Sequence, residues 1–148
     1  MSPSKGATSG DAGLASDLRL SVMRLRRRLV AERHPDNDLS IGAMAVLGGL
    51  SRYGDMTLGE LAQRERVQPP SMTRTVNCLE EGGHVTRQPS VTDRRQVLVA
   101  LTDTGRETLL ADRARRDEWL AQRLSELNDA ERAILRDAAP ILERIANE

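Results

Sequence analysis

The chain has no phenylalanine, one tryptophan, one tyrosine, one cysteine and a single lysine, Lys5, among its 148 residues. With aromatics at 1%, recognition of unpaired bases by aromatic stacking has almost nothing to work with, which excludes the usual RNA and single-strand binders. Cys78, alone, cannot close an internal disulfide and fits a reducing compartment. No stretch approaches the roughly 18 apolar residues of a membrane span. Nor does an apolar run follow Lys5, so a secretory signal is not expected. The expectation is a soluble cytoplasmic protein with no membrane partner. His34 and His84 are far apart, and no acid, histidine and cysteine spacing suggests zinc. No nucleophile–base pair or glycine-rich phosphate loop is visible. The sequence therefore predicts neither metal nor cofactor, and no enzyme.

What is present is charge of both signs. Lysine plus arginine and aspartate plus glutamate each number 22, for a formal net charge of zero. Domains that bind nucleic acid are often basic, so the sum argues mildly against one. The distribution argues the other way. Arg19, Arg24, Arg26, Arg27, Arg28 and Arg33 crowd the first helical segment. Arg64, Arg66, Arg74, Arg87, Arg94 and Arg95 recur through the middle, while acids concentrate late. Arginine suits bidentate phosphate and base contacts; a GC-rich genome that favours arginine codons would give the same bias. Arg26, Arg27 and Arg28 read either as a solvated helix face or as contacts to phosphates or an anionic ligand.

Residues 1–12 are rich in Ser, Gly and Ala and read as a disordered arm. Leu14, Leu18, Val22, Leu25 and Leu29 keep a helical period as far as Arg33, where His34-Pro35 should end the helix. Ser40 reads as the N-cap of a helix carrying Ile41, Met44, Leu47 and Leu50. Thr57-Leu58-Gly59-Glu60 is a capping box opening a short helix to about Arg64. Val67 to Ser71 is a tight turn, and a helix from about Pro69 to Glu81 follows, ended by Gly82-Gly83. The period then becomes alternating. His84–Arg87 and Gln96–Leu101 read as two strands around a turn at Pro89–Asp93. A long helix after Thr102 carries Leu109, Leu110, Ala114, Leu120, Leu124 and Leu127. A last helix, capped by Asn128 with Glu131 three residues on, carries Ile134, Ala138, Ile141 and Ile145, and Pro140 should kink it.

A short helix, a tight turn and a second helix make a helix-turn-helix, and the hairpin behind it makes a wing. On the second helix Met72, Val76 and Leu79 should face inward. Arg74 and Asn77 lie opposite, flanked by Pro70 and Thr73. Arginine can donate twice to guanine and asparagine can pair with adenine, so this face has the chemistry of a major-groove reader, or of any solvated helix face. Gln68, Pro69 and Ser71 begin the same helix, where Ser71 and the first-turn amides could hold a phosphate. Arg94 and Arg95 stand at the hairpin tip, suited to a narrow minor groove, with Asp93 placed to orient them. Thr57, Arg64 and Arg87 are candidates for the DNA backbone. Cys78 reads as structural or incidental, and Trp119 and Tyr53 as core or interface residues.

The segment Asp93-Arg94-Arg95-Gln96-Val97-Leu98-Val99-Ala100-Leu101-Thr102-Asp103-Thr104-Gly105 resembles the wing of MarR-family regulators. Pro70-Ser71-Met72-Thr73-Arg74 and Leu79-Glu80-Glu81-Gly82 resemble that family's recognition helix. The likeness is motif-level over residues 57–105 and extends in element order over 14–146. It implies a mainly α fold with a small β-hairpin wing. Residues 13–148 would form one domain, with dimerisation helices at 13–38 and 106–148 and a winged DNA-binding lobe at 39–105. It further implies a homodimer on a near-palindromic double-stranded operator, acting mostly as a repressor. A small anionic, often phenolic, effector would sit between the dimerisation helices and the lobe. Gly83-His84 replaces the apolar residue usual there, which leaves the first wing strand open. The alternative is a winged-helix protein-interaction module without specific DNA binding.

Overall fold

A computed structural model describes residues 9–148, and among these it contains six helices and three strands. They run α1 (Ser9–Ala31), α2 (Ile41–Tyr53), β1 (Met56–Thr57), α3 (Leu58–Glu65), α4 (Pro69–Glu81), β2 (Val85–Pro89), β3 (Val97–Leu101), α5 (Asp103–Ser125) and α6 (Asp129–Ala146). The described part divides into two compact units, residues 33–115 and residues 9–32 with 116–148. No helix among the described residues is long and apolar enough to cross a membrane.

Residues 33–115 form the winged unit. Its core is built from Val46, Leu47 and Leu50 of α2, Leu61 of α3, Met72, Val76 and Leu79 of α4, Val85 of β2, Val99 of β3 and Leu109 of α5. The predicted inward face of α4 is thus its buried face. Caps set the helix starts: Ser40 Oγ accepts from the Ala43 amide at 3.0 Å and Thr57 Oγ1 from the Glu60 amide at 3.1 Å. At the end of α4 the His84 amide donates to Leu79 O at 2.8 Å and the Gly83 amide to Glu80 O at 3.0 Å. This paired closure needs a left-handed residue, which Gly83 supplies at φ 78°. The sheet is more than the expected hairpin. β1 pairs antiparallel with β3 (Met56 with Val99, Thr57 with Leu98), giving the order β1-β3-β2. Two residues are too few to show an alternating pattern, so β1 is invisible to periodicity.

The start of α5 meets the wing at one tight place. Thr102 Oγ1 donates to Gly83 O at 2.6 Å and accepts from the Gly105 amide at 3.1 Å. Gly105 is buried there, and a Cβ on it would lie 2.2 Å from the His84 carbonyl oxygen. The spacing of Thr102 and Gly105 therefore has a physical reason: one caps the helix, the other lets it touch the chain before β2. Further along, Asp112 is fully buried. It accepts from the His34 amide at 3.0 Å and from Asn37 Nδ2 at 2.6 Å, which ties the 33–39 loop to α5.

The other unit consists of α1, the second half of α5 and α6. The helix α1 begins at Ser9, so residues 9–12 are helical rather than part of an arm; residues 1–8 lie outside the described residues. Asp11 in the first turn opposes the positive end of the helix dipole, and alanine and leucine favour helix here over the Ser/Gly bias. The helix ends at Ala31, two residues before the expected Arg33, with the Glu32 amide donating to Leu29 O at 3.2 Å. Arg116 Nε donates to Leu29 O at 3.2 Å, and Trp119 lies between Arg28 and Arg123, whose guanidinium carbons are 5.1 and 5.3 Å from the ring centroid. Asn128 and Glu131 form a reciprocal capping box at the start of α6, which runs on through Pro140.

Candidate nucleic-acid interface

The helix-turn-helix is α3, the turn at 66–68 and α4. The turn is made by Arg66, whose backbone is left-handed at φ 54°, the one such non-glycine among the described residues. Its successor's amide, Val67 N–H, donates to Ala62 O at 3.0 Å, closing α3 as Gly83 closes α4. Nothing in the residue type signals this, because arginine pays a steric penalty in that conformation.

Along α4, Gln68, Pro69, Pro70, Thr73, Arg74 and Asn77 are all exposed and Ser71 half-buried. The expected phosphate pocket at the first-turn amides does not form. Pro69 and Pro70 occupy the first two positions and have no N–H. The amides of Ser71 and Met72 already donate to Gln68 O at 3.0 and 3.2 Å. What remains for an anion is side chains, with the Ser71 hydroxyl 3.5 Å from the Arg74 guanidinium.

In the wing, β2 and β3 pair from Val85–Leu101 to Pro89–Val97. The tip is braced from within: Ser90, 6% exposed, accepts from the Asp93 amide at 3.3 Å and its own amide donates to Gln96 O at 2.9 Å. Asp93 Oδ1 accepts the backbone N–H of Arg95 at 3.0 Å. Rather than holding an arginine side chain, as the sequence suggests, it stiffens the main chain, the habit of aspartate in turns. Arg94 and Arg95 are exposed.

The three backbone candidates differ. Thr57 is the α3 cap, its oxygen engaged by the Glu60 amide. Arg64 lies flat on Tyr53, its guanidinium carbon 3.5 Å from the ring centroid, which holds the cation at the surface. Arg87 is bound within the protein: Nη1 donates to Glu80 Oε1 and Nη2 to Asn77 Oδ1, both at 2.6 Å. Sequence reasoning missed Glu80, Tyr53 and Arg66 as parts of this surface, since each acts through a contact or a backbone angle that spacing does not reveal. Cys78 is exposed and unbonded to any other cysteine. No group of three or more metal-binding side chains occurs among the described residues.

Comparison with known proteins bears on the family and the fold. The family model for the MarR family matches residues 39–97, which span α2 through the start of β3. The HTH-type transcriptional regulator Mb0904 of Mycobacterium bovis is 49% identical over 138 residues, covering 93% of this chain and 96% of the relative. A transcriptional regulator of Pseudomonas aeruginosa, solved by crystallography, superposes with a TM-score of 0.84 at 35% identity, covering 96% of this chain and 99% of that one. The fold is shared too with FabT of Streptococcus pneumoniae, solved in complex with DNA, at TM-score 0.66 and 21% identity over 93% of this chain and 98% of that one. Mostly helical, with a small antiparallel sheet and a winged helix-turn-helix, this chain belongs to the MarR family of transcriptional regulators, which are DNA-binding proteins and not enzymes.

Proposed function

We propose that this regulator binds a near-palindromic double-stranded operator as a homodimer, each protomer laying α4 in a major groove and its wing tip in the adjacent minor groove. The observation that carries the reading is the joint exposure of Arg74 and Asn77 on α4 and of Arg94 and Arg95 on a tip braced by Ser90 and Asp93. Gln68, Pro69, Pro70, Ser71 and Thr73 border that surface, and Thr57 and Arg64 flank it for the phosphates. A two-fold dimer matches two half-sites about one helical turn apart. The apolar residues left exposed on α1 and α6, Leu14 at 57% and Ile134 at 65% among them, support the dimer. The DNA complex of the pneumococcal fold relative supports the partner. Occlusion of a promoter by such a dimer represses.

A small-molecule effector belongs to the proposal without an assigned site. A cavity of about 320 Å³ in the winged unit is lined by Asp36, Asp38, Glu107 and Asp112 beside His34 and His84. Four acidic side chains oppose the anionic effector that the family resemblance implies, so such a ligand would bind elsewhere.

Fluorescence anisotropy on the intergenic DNA upstream of the protein's own gene, at two salt concentrations and against scrambled competitor, tests the reading. Tight, competitor-resistant binding with two protomers per site is expected. Arg95→Ala should weaken it and lower the salt slope by about one unit, as loss of one phosphate contact does. The zero net charge favours one other reading, a protein-interaction module. Binding lost equally to scrambled DNA on every promoter fragment tried would decide for it.

A further inference from the structure

The Arg87 guanidinium spans from the wing to the recognition helix and touches two residues of that helix three positions apart, Asn77 and Glu80. These lie on one face of α4. Both contacts are 2.6 Å, and the Arg87 side chain is 26% exposed against 41% for Glu80. An amide oxygen and nitrogen look alike by shape, but a guanidinium only donates. The Asn77 atom facing it must be Oδ1. The Nδ2 end then points away from β2. A free asparagine can turn either end outward, presenting a donor or an acceptor. Asn77 cannot do so without giving up a charge-assisted bond, the stronger kind.

We infer that Arg87 sets the base preference of α4 by locking the Asn77 amide, so that Asn77 leads with its N–H and reads a keto base rather than an amino base. In the major groove guanine and thymine present O6 and O4, which accept, whereas adenine and cytosine present N6 and N4, which donate. A locked donor matches O6 and N7 of guanine and O4 of thymine; on adenine it reaches N7 but meets the N6 donor beside it, and on cytosine it meets a donor outright. This inference rests on the reading of α4 as the groove-reading helix. It departs from the adenine pairing that an isolated asparagine suggests. Arg87 is thus a positioning residue: it acts on the base through Asn77. Glu80 keeps the guanidinium in place from its other side.

The test is selection from a double-stranded library randomised across an operator-length window, at one salt concentration, with the wild type and four variants. Asn77→Ala identifies the base pair that Asn77 reads, as the one whose preference disappears. At that pair the wild type should lose affinity when the keto oxygen is removed from the guanine or thymine by a base analogue, and keep it when the amino group is removed from the cytosine or adenine opposite. Arg87→Ala frees the amide to turn, so pairs with adenine or cytosine on the strand that the analogues show Asn77 to read should rise by roughly fivefold, the worth of one net hydrogen bond. All other positions should keep their profile. Arg87→Lys, also a pure donor, should retain most of the preference. Asn77→Asp keeps the partner of Arg87 but has no donor, and should lose the keto preference without touching the wing. Overall affinity is not the readout, since removing a positive charge lowers it whatever its role. Affinity lost on removal of the amino group and kept on removal of the keto oxygen at the Asn77 pair overturns the inference. So does an Arg87→Ala profile identical to the wild type. A selection that enriches sequences but is indifferent to Asn77→Ala refutes the inference alone. One in which the wild type enriches nothing refutes the DNA-reading function beneath it.

Discussion

The two units of this chain use the same kind of helical pattern and treat it in opposite ways. In the winged unit Val46, Leu47, Leu61, Val76, Leu79, Val85 and Val99 are each less than 2% exposed. In the other unit α6 has no buried residue at all, and Ile134, Ile141 and Ile145 are 65%, 46% and 60% exposed. On α1, Leu14, Leu18 and Val22 stand at 57%, 38% and 47%. An apolar stripe at the helical period states that a face leaves water, and is silent about what covers it. In one unit the cover is the rest of the chain. In the other nothing among the described residues covers it, and the second copy proposed above would do so, since single chains rarely leave much apolar surface in water.

The most severe way to break that contrast is to charge the uncovered face. Leu18→Glu with Ile141→Glu should convert the dimer to monomer and abolish operator binding. Two carboxylates forced into an apolar interface cost several kcal/mol, enough to undo most assemblies. Light scattering coupled to gel filtration reads the mass. Ile41→Glu is the control, since Ile41 is 61% exposed on the winged unit and should leave the mass unchanged. A double variant that keeps the wild-type mass would mean that the exposed stripes are not the interface.

Gly105→Ala attacks the covered side of the contrast. The added methyl would lie 2.2 Å from the His84 carbonyl oxygen, and that atom is backbone and cannot swing aside. Either α5 or the entry to β2 must move. The expected loss is about 3 kcal/mol, the upper range for overpacking. Urea unfolding reads it, at one fixed protein concentration because a dimer's stability depends on it. The mass should stay dimeric in dilute buffer. A loss below about 1 kcal/mol would mean that this contact relaxes freely.

How much of this was readable beforehand follows from the range of the interactions. The inward face of α4, the caps at Ser40, Thr57 and Asn128, and the stop at Gly83 come from residues within a turn or two of each other and all stand, except that the Glu60 side chain does not return the bond to Thr57 that a full capping box requires. The pairing of β1 with β3 joins Met56 to Val99 and leaves no local trace. The first turn of α4 departs from a generic helix start, because Pro69 and Pro70 have no amide hydrogen to offer an anion. Asp93 meets the nearer backbone amide of Arg95 rather than an arginine side chain, a choice that residue type alone does not reveal. Arg87 and Asn77 were each placed on the candidate surface, but their bond crosses from strand to helix and changes what both can do.

Arg66 gives the smallest expected effect and the sharpest division between stability and binding. Its left-handed backbone, φ 54° and ψ 45°, closes α3 where glycine is the usual residue. A side chain there costs about 1 kcal/mol in the folded state. Glycine removes that cost but frees the unfolded chain, which takes back about 0.4–1 kcal/mol. Arg66→Gly should therefore leave stability unchanged or raise it by about 0.5 kcal/mol or less, measured in urea at fixed concentration. The same substitution removes a cation from the turn that leads into α4. If that cation meets a phosphate, operator affinity should fall and the salt slope should drop by about one unit, while base preferences stay as they were. Affinity and stability moving in opposite directions would show that the backbone strain is held for the sake of the charge. Affinity unchanged with stability raised would leave the arginine without a role at the DNA, and a fall in stability would refute the strain itself.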